Sequence, residues 1–195
     1  MYCIEVLVAE HENVLRLNAT MRAACLKALR EQVLEPGDFR QFVCIIRRYA
    51  DKHHHGKEEL LLFKEMEDKL GAAAQKLVRH GMLVEHDLGR LFAQQLEEAL
   101  DRYEAAEELG SAGEEEKLNS VLDVITNAMG YADLLGRHIA KENDVVYKFA
   151  LNNLDAATLA TLDERTRTFE QEAQDSGFLD AMLGRLDKLE QKYLG

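Results

Sequence analysis

Residues 53–59 read HHHGKEE, three histidines and two glutamates within seven positions, followed at once by the apolar run LLLF. Residues 138–142 read HIAKE, which sets another histidine and glutamate four apart. Imidazoles suit iron and zinc, and carboxylate oxygens favour iron or manganese over copper(I). A His and a Glu four apart lie on one helix face, one turn along the axis. The chemistry open to these residues is metal binding, provided that the chain turns them inward.

The two segments are copies of one pattern. HHGKEELLLF (54–63) and HIAKENDVVY (138–147) share His-x-x-Lys-Glu and close on an aromatic residue. EHENVLRL (10–17) and EHDLGRL (85–91) share Glu-His-acid, then Arg-Leu. The first pair is offset by 84 (138 − 54) and the second by 75 (86 − 11). A repeat kept only for packing would preserve apolar positions more than histidines and glutamates. Facing inward, the four segments supply four imidazoles and two carboxylates, which suits two neighbouring ions bridged by carboxylate. Two divalent ions also offset carboxylate charge that could not be buried alone.

The alignment selects His54 and Glu58 with His138 and Glu142, beside the single His11 and His86. The rival register, His55 with Glu59, has the same spacing and stays open. Successive α-helical residues point about 100° apart, so the three histidines at 53–55 cannot share a face. His53 is expected in solvent. So is His80, which lies well around the helix from His86.

Long helices must position these groups. The chain has 195 residues, 47% of them hydrophobic, one Pro and no Trp. Its long stretches of Ala, Leu, Glu, Lys, Arg and Gln are strong helix formers, which makes the protein all-α. Apolar residues step by three or four from Ile4 to Leu29. Pro36-Gly37 ends a connection, Asp38 is placed to cap the second helix, and Gly71 stops it. A third helix is expected over roughly 74–109, with Leu77, Met82, His86, Leu91/Phe92, Leu96 and Leu100 inward. After the loop GSAGEEE (110–116), a fourth runs over about 117–151 on the stripe Leu118, Leu122, Ile125, Ala128/Met129, Leu135, His138, Val145, Phe149. Four long helices with short connections form an up-and-down antiparallel bundle. The bundle is expected over 1–151, with a helical extension over 152–195 as two shorter helices, 155–173 and 178–194. The extension carries an apolar stripe, from Phe178 through Met182 to Leu189, that suits packing on the bundle or a homodimer contact.

A net charge of −12 without a basic stripe argues against nucleic acid and against anionic membrane surfaces. The longest apolar runs are far too short to span a bilayer. The N-terminus MYCIEVLVAEHE has acids where a secretion signal needs bases, so a cytoplasmic location is expected. Cys3, Cys25 and Cys44 read as free thiols within helices.

Together these segments resemble the hemerythrin-like, or HHE cation-binding, domain family. YADKHHHGKEELLLF resembles its second-helix signature and GRHIAKENDVVYKFA its fourth, and the two Glu-His segments match its single-histidine helices. The resemblance covers about residues 4–150. It implies a four-helix bundle holding two iron ions with an oxo or hydroxo bridge, manganese or zinc being the other candidates. His11, His54, His86 and His138 would be terminal ligands, and Glu58 and Glu142 the bridges. Oxygen-carrying members have a further His four positions from another on the third helix. Here those positions are Met82 and Arg90, which puts simple oxygen carriage in doubt. Tyr131, two turns before His138, either points at the site or is a core aromatic with its hydroxyl bonded elsewhere. The function expected is a non-haem di-iron protein that binds or senses oxygen, peroxide, nitric oxide or iron. The alternative is an enzyme with peroxidase-like, nitric-oxide-reducing or iron–sulfur-repair activity.

Overall fold

The computed structural model describes all 195 residues and contains helices and no strands. Helix α1 is Tyr2–Glu31. Gln32 ends it in the left-handed conformation, and Pro36 opens α2 at the first helical position, where its missing N–H is not needed. Helix α2 covers 36–70 and α3 covers 72–108, separated by Gly71 at φ 68 and ψ −154. A single 3₁₀ turn, Gly110–Gly113, leads into α4 over 114–153. Helices α5 (Ala156–Asp175) and α6 (Phe178–Leu194) complete the chain.

Helices α1 to α4 form the up-and-down antiparallel four-helix bundle, with α5 and α6 added outside it. Two apolar cores fill it. The larger contains Val14, Leu17, Phe42, Tyr49, Leu96, Val124, Ala128 and Leu135. The smaller contains Leu7, Leu62, Phe63, Met66, Val78, Val146 and Tyr147. Each bundle helix passes from one core to the other, and each carries its histidine at the crossing: His11 follows Leu7 and precedes Val14, for example. The polar residues therefore form one layer between two apolar ones.

Helices α5 and α6 pack on the bundle rather than standing free. Asp155 caps α5 by accepting from the Thr158 N–H at 2.8 Å, a contact worth about 1 kcal/mol. Leu162 joins the smaller core, and Met182, Leu186 and Leu189 join the larger. Arg16 on α1 pairs with Asp187 at 2.7 Å and Glu190 at 2.5 Å on α6.

Several sequence expectations change. Leu118 and Leu122 are exposed, 71% and 64%, as are Leu91 and Val145. The inward row at the start of α4 is instead Ser120 and Val124, which lead into the expected Ala128, all buried. Apolar residues occupy both rows, so periodicity alone could not choose, and the small residues let α3 approach closely. Helix α4 begins at Glu114, earlier than expected, with three glutamates in its first turn, where the helix dipole favours negative charge. Asp38 caps nothing; it accepts from Tyr193 and Lys192, each at 2.6 Å. Cys3 and Cys25 are buried free thiols, and Cys44 is free and half-buried. No helix is long and apolar enough to cross a membrane.

Only glycine tolerates the backbone angles of Gly71, and open space surrounds it. Gly71→Ala is expected to cost about 1–3 kcal/mol through strain alone. A thermal melt should fall by roughly 2–4 °C for each of those kcal/mol. An unchanged melting temperature would show that α2 and α3 join without strain.

Candidate metal centre

The helices are not regular where they carry the site. Ile46–His55 and Glu58–Leu62 in α2, Val78–Met82 in α3 and Glu142–Val146 in α4 are π-helical. A π turn pairs i with i+5, takes in an extra residue and re-aims the side chains around it. Glu58 and Glu142 each open a five-residue π segment, at the same offset that relates His54 to His138. The sequence repeat is thus also a repeat of backbone irregularity. The wider turn accounts for the histidine triplet. His54 and His55 both point inward, which an α-helical step of about 100° would forbid.

His11 from α1, His54 and Glu58 from α2, His86 from α3, and His138 and Glu142 from α4 all converge, each at most 1% exposed. His55 joins them at 2%, its ring stacked on His86 at 3.7 Å. Glu142 reaches both ways, with one oxygen 3.1 Å from His11 Nε2 and the other 3.1 Å from His138 Nε2. Glu58 Oε2 lies 3.7 Å from His54 Nε2 and 3.5 Å from His86 Nε2. Two donors about 2.1 Å from one ion and at right angles to it stand about 3 Å apart, so these separations suit shared coordination. The donors fall into two groups, His11–His54–Glu58–Glu142 and His55–Glu58–His86–His138, with Glu58 in both. Nε2 of His54, His55, His86 and His138, Glu58 Oε2 and Glu142 Oε1 are buried without a hydrogen-bond partner. Six orphaned atoms in a dry core are costly. Imidazole nitrogens and carboxylate oxygens facing one another are what a cation would satisfy, so the residues fit a metal pair.

Outward-facing nitrogens are held as well. His54 Nδ1 meets Glu10 at 2.9 Å, and His138 Nδ1 meets Glu85 at 2.9 Å. His86 Nδ1 meets Glu59 at 2.7 Å, and His11 Nδ1 meets Asn143 at 2.9 Å. Each partner binds the histidine of the next helix, never its own neighbour. Glu10 and Glu85 precede the single histidines; Glu59 and Asn143 follow the buried glutamates. An Nδ1–H donated outward leaves Nε2 free for a metal and fixes the ring.

The chain matches the hemerythrin HHE cation-binding domain family over residues 3–150. It belongs to that family. Neither the curated proteins nor the solved structures provide a match. Within this HHE domain Glu58 lies inside and Glu59 lies outside on His86 and Arg90, while His54 and His55 both face in. His55 brings a fifth imidazole from α2, where the sequence pattern predicts four.

Two further expectations are corrected. His53 is 4% exposed, not solvated, because α5 and α6 cover it with Phe169 and Phe178. Tyr131 is a buried core aromatic, but its hydroxyl has no partner; it borders a cavity of about 30 Å³ with Asp51, His55 and Arg90. His80 is exposed as expected. Lys57, shared by both repeats, is fully buried between Glu10 and Glu170. Its ammonium fills the space among Glu10, His53 and Glu170, so that cluster already has its cation. The repeated Glu-His and Lys-Glu letters are plain in the sequence, but the pattern alone assigns that glutamate and lysine no role. Tyr147, which closes the second repeat, carries no signal beyond its aromatic type; it donates to Glu58 Oε1 at 2.6 Å.

Burial and the neighbouring Glu142 charge push the Glu58 carboxyl well above its ordinary range. Burial opposes the Glu142 charge too, but the surrounding imidazoles of His138, His11 and His86 hold Glu142 well below its range. Without ions, one proton thus belongs on this pair. Burial holds the His54 imidazole down to about 4, against an ordinary 6.5, despite the Glu10 hydrogen bond. The unfolded chain then binds a proton at this residue between pH 6.5 and 4 that the folded chain excludes. That contribution to stability is full above pH 6.5 and is lost as pH falls toward 4. His86 acts in the opposite sense: burial lowers it, but the nearby Glu142 carboxylate and the bonded Glu59 raise it overall. Its contribution is full below its unfolded value and lost as pH rises through the folded one. The His54 component is on the order of 3 kcal/mol. Urea unfolding of the chelator-treated protein at pH 7 and pH 5 should show a drop that is smaller in His54→Gln. Equal drops would mean that His54 is not held neutral.

Proposed function

We propose that this HHE domain binds two iron ions and that it binds or senses a small oxidant: oxygen, peroxide or nitric oxide. One observation carries the reading. The inward donors divide into two groups that share Glu58, and Glu142 of the first group also reaches His138 of the second at 3.1 Å. In this reading His11 and His54 hold one ion, His55, His86 and His138 hold the other, and Glu58 and Glu142 bridge. A pair of redox-active ions would supply reversible electron transfer to a bound small molecule.

The chain's own residues set what such a molecule meets. One group has three imidazoles and the other two, so the second would offer its ion one protein donor fewer. The Tyr147 hydroxyl stands beside that second group, 3.3 Å from His11 Nε2. Burial, then the Glu58 and Glu142 charges, raise Tyr147 well above the ordinary phenol range, which keeps it a neutral donor. Its single O–H is donated to Glu58 Oε1, and turning that O–H is how it would donate to a ligand instead. The apolar layers above and below exclude bulk water and any large substrate.

Metal content by plasma mass spectrometry, on protein produced with iron available, tests this directly. About two irons per chain are expected, with both lost in Glu58→Ala and in Glu142→Ala, since each bridges. Arg137→Ala, far out on the exposed face of α4, should retain both. A single zinc, or no transition metal in a folded chain, would overturn the reading. On the loaded protein, a visible absorption change that saturates with peroxide marks a binder. Sustained peroxide consumption would instead make the protein an enzyme.

A further inference from the structure

The elbow between α5 and α6 stands off α2 and leaves an open cleft of about 520 Å³, within the size range of small-molecule sites. Three cations line it: Arg48 and Lys52 from α2, and Arg185 from α6. None has a carboxylate partner. Arg185 donates to Gln41, Arg48 lies over the Phe178 ring at 5.6 Å, and Lys52 makes no ion pair. Glu172 is the one acid on the wall. On a chain of net charge −12, this is a local reversal of the field, and it attracts anions.

The rest of the wall is apolar, formed by Phe169, Phe178, Met182 and small alanines. Its floor is His53, 4% exposed and wedged among the rings of Tyr49, Phe169 and Phe178. His53 Nε2 is bound to Glu10 at 2.9 Å, and its Nδ1 has no hydrogen-bond partner. A group with one negative end and a short apolar body would use all of these features. A bare anion would leave the rings unused, and a neutral apolar molecule would leave three charges unmet.

We propose that this cleft binds a small anionic amphiphile, a carboxylate or phosphate monoester on a short apolar body. Its head meets Arg48, Lys52 and Arg185, and its body lies on Phe169, Phe178 and Met182. The floor connects the cleft inward: His53 bonds Glu10, and Glu10 bonds His54 Nδ1. Occupancy is therefore two hydrogen bonds from an imidazole of the candidate metal centre. Linkage makes such coupling reciprocal, so amphiphile affinity differs between metal-loaded and metal-free protein. This second statement rests on the metal reading; binding in the cleft does not.

Isothermal titration of the full chain with octanoate, octanol and inorganic phosphate tests it. Octanoate should bind once per chain, and octanol and phosphate at least ~10-fold more weakly. R48E/K52E changes two exposed residues without partners, so the fold, checked by circular dichroism, should be kept. It should weaken octanoate ~10-fold or more. Ala181→Trp, at an exposed position on the cleft wall, should weaken it by filling the space. No saturable octanoate binding, or unchanged binding in R48E/K52E, would overturn the site. Phosphate binding as tightly as octanoate would overturn the amphiphile class. Phosphatidylglycerol vesicles that retain the chain without competition from octanoate would assign the cations to a membrane surface and overturn a free ligand. Equal octanoate affinity with and without metal would overturn the coupling while the cleft stands. Failure to load any metal would count against the di-iron reading and leave the octanoate titration intact.

Discussion

Two carboxylates, Glu58 and Glu142, are buried side by side between apolar cores. This is the constraint around which the bundle is built. Two like charges at that depth cannot both persist without a counter-charge. The protein answers with imidazoles rather than with lysine or arginine. Five ring nitrogens face the carboxylates, and four of the rings are pinned from outside by Glu10, Glu59, Glu85 and Asn143. An imidazole pinned through Nδ1 points its Nε2 at the carboxylates, where both kinds of donor can meet one ion. The balance therefore comes from cations that both kinds of donor can share, or from a proton on Glu58.

That demand reaches into the backbone. A regular helix cannot place two consecutive residues on one face, yet His54 and His55 both face in. Both lie in the π segment Ile46–His55, and further π segments open at Glu58 and at Glu142. Such turns are poorer in hydrogen-bond geometry than the α-helix and persist where packing over-determines them. Here the apolar layers on either side do that. Leu61 and Leu62 at the end of the α2 π segment and Phe63 directly after it sit in the smaller core, as do Val146 at the end of the α4 segment and Tyr147 after it.

Much of this is legible in the sequence because the repeat preserves chemistry. His-x-x-Lys-Glu twice, and Glu-His-acid twice, are enough to bring His11, His54, Glu58, His86, His138 and Glu142 to one layer. What stays hidden has definite physical causes. His55 escapes any reading that assumes an α-helical step, and nothing in HHHGKEE announces a π turn. His53 is misplaced because its cover comes from Phe169 and Phe178, more than a hundred residues away. Leu118 and Leu122 mislead because two apolar rows run along the start of α4. The roles of Glu10 and Glu85 are within reach: a residue type repeated beside a candidate ligand is a candidate partner for another.

The two halves of the repeat also differ, and the difference has a direction. Lys141 pairs with Glu85 at the surface, whereas its counterpart Lys57 pairs with Glu10 in a buried site closed by Glu170. The C-terminal helices thus cover one half of the layer and leave the other near solvent. The covered half contains His54 and His11, the group with two imidazoles. The open half contains His86 and His138, which His55 supplements to three. A symmetric repeat thereby supports two unequal environments. The extension lying outside the family match, over residues 152–195, covers the side that contains His11 and His54. Sealing by a buried Lys–Glu pair is costly to break. Any change in charge around His54 is therefore felt first at Glu10, next at Lys57 and Glu170, and so by the helices that carry the cleft.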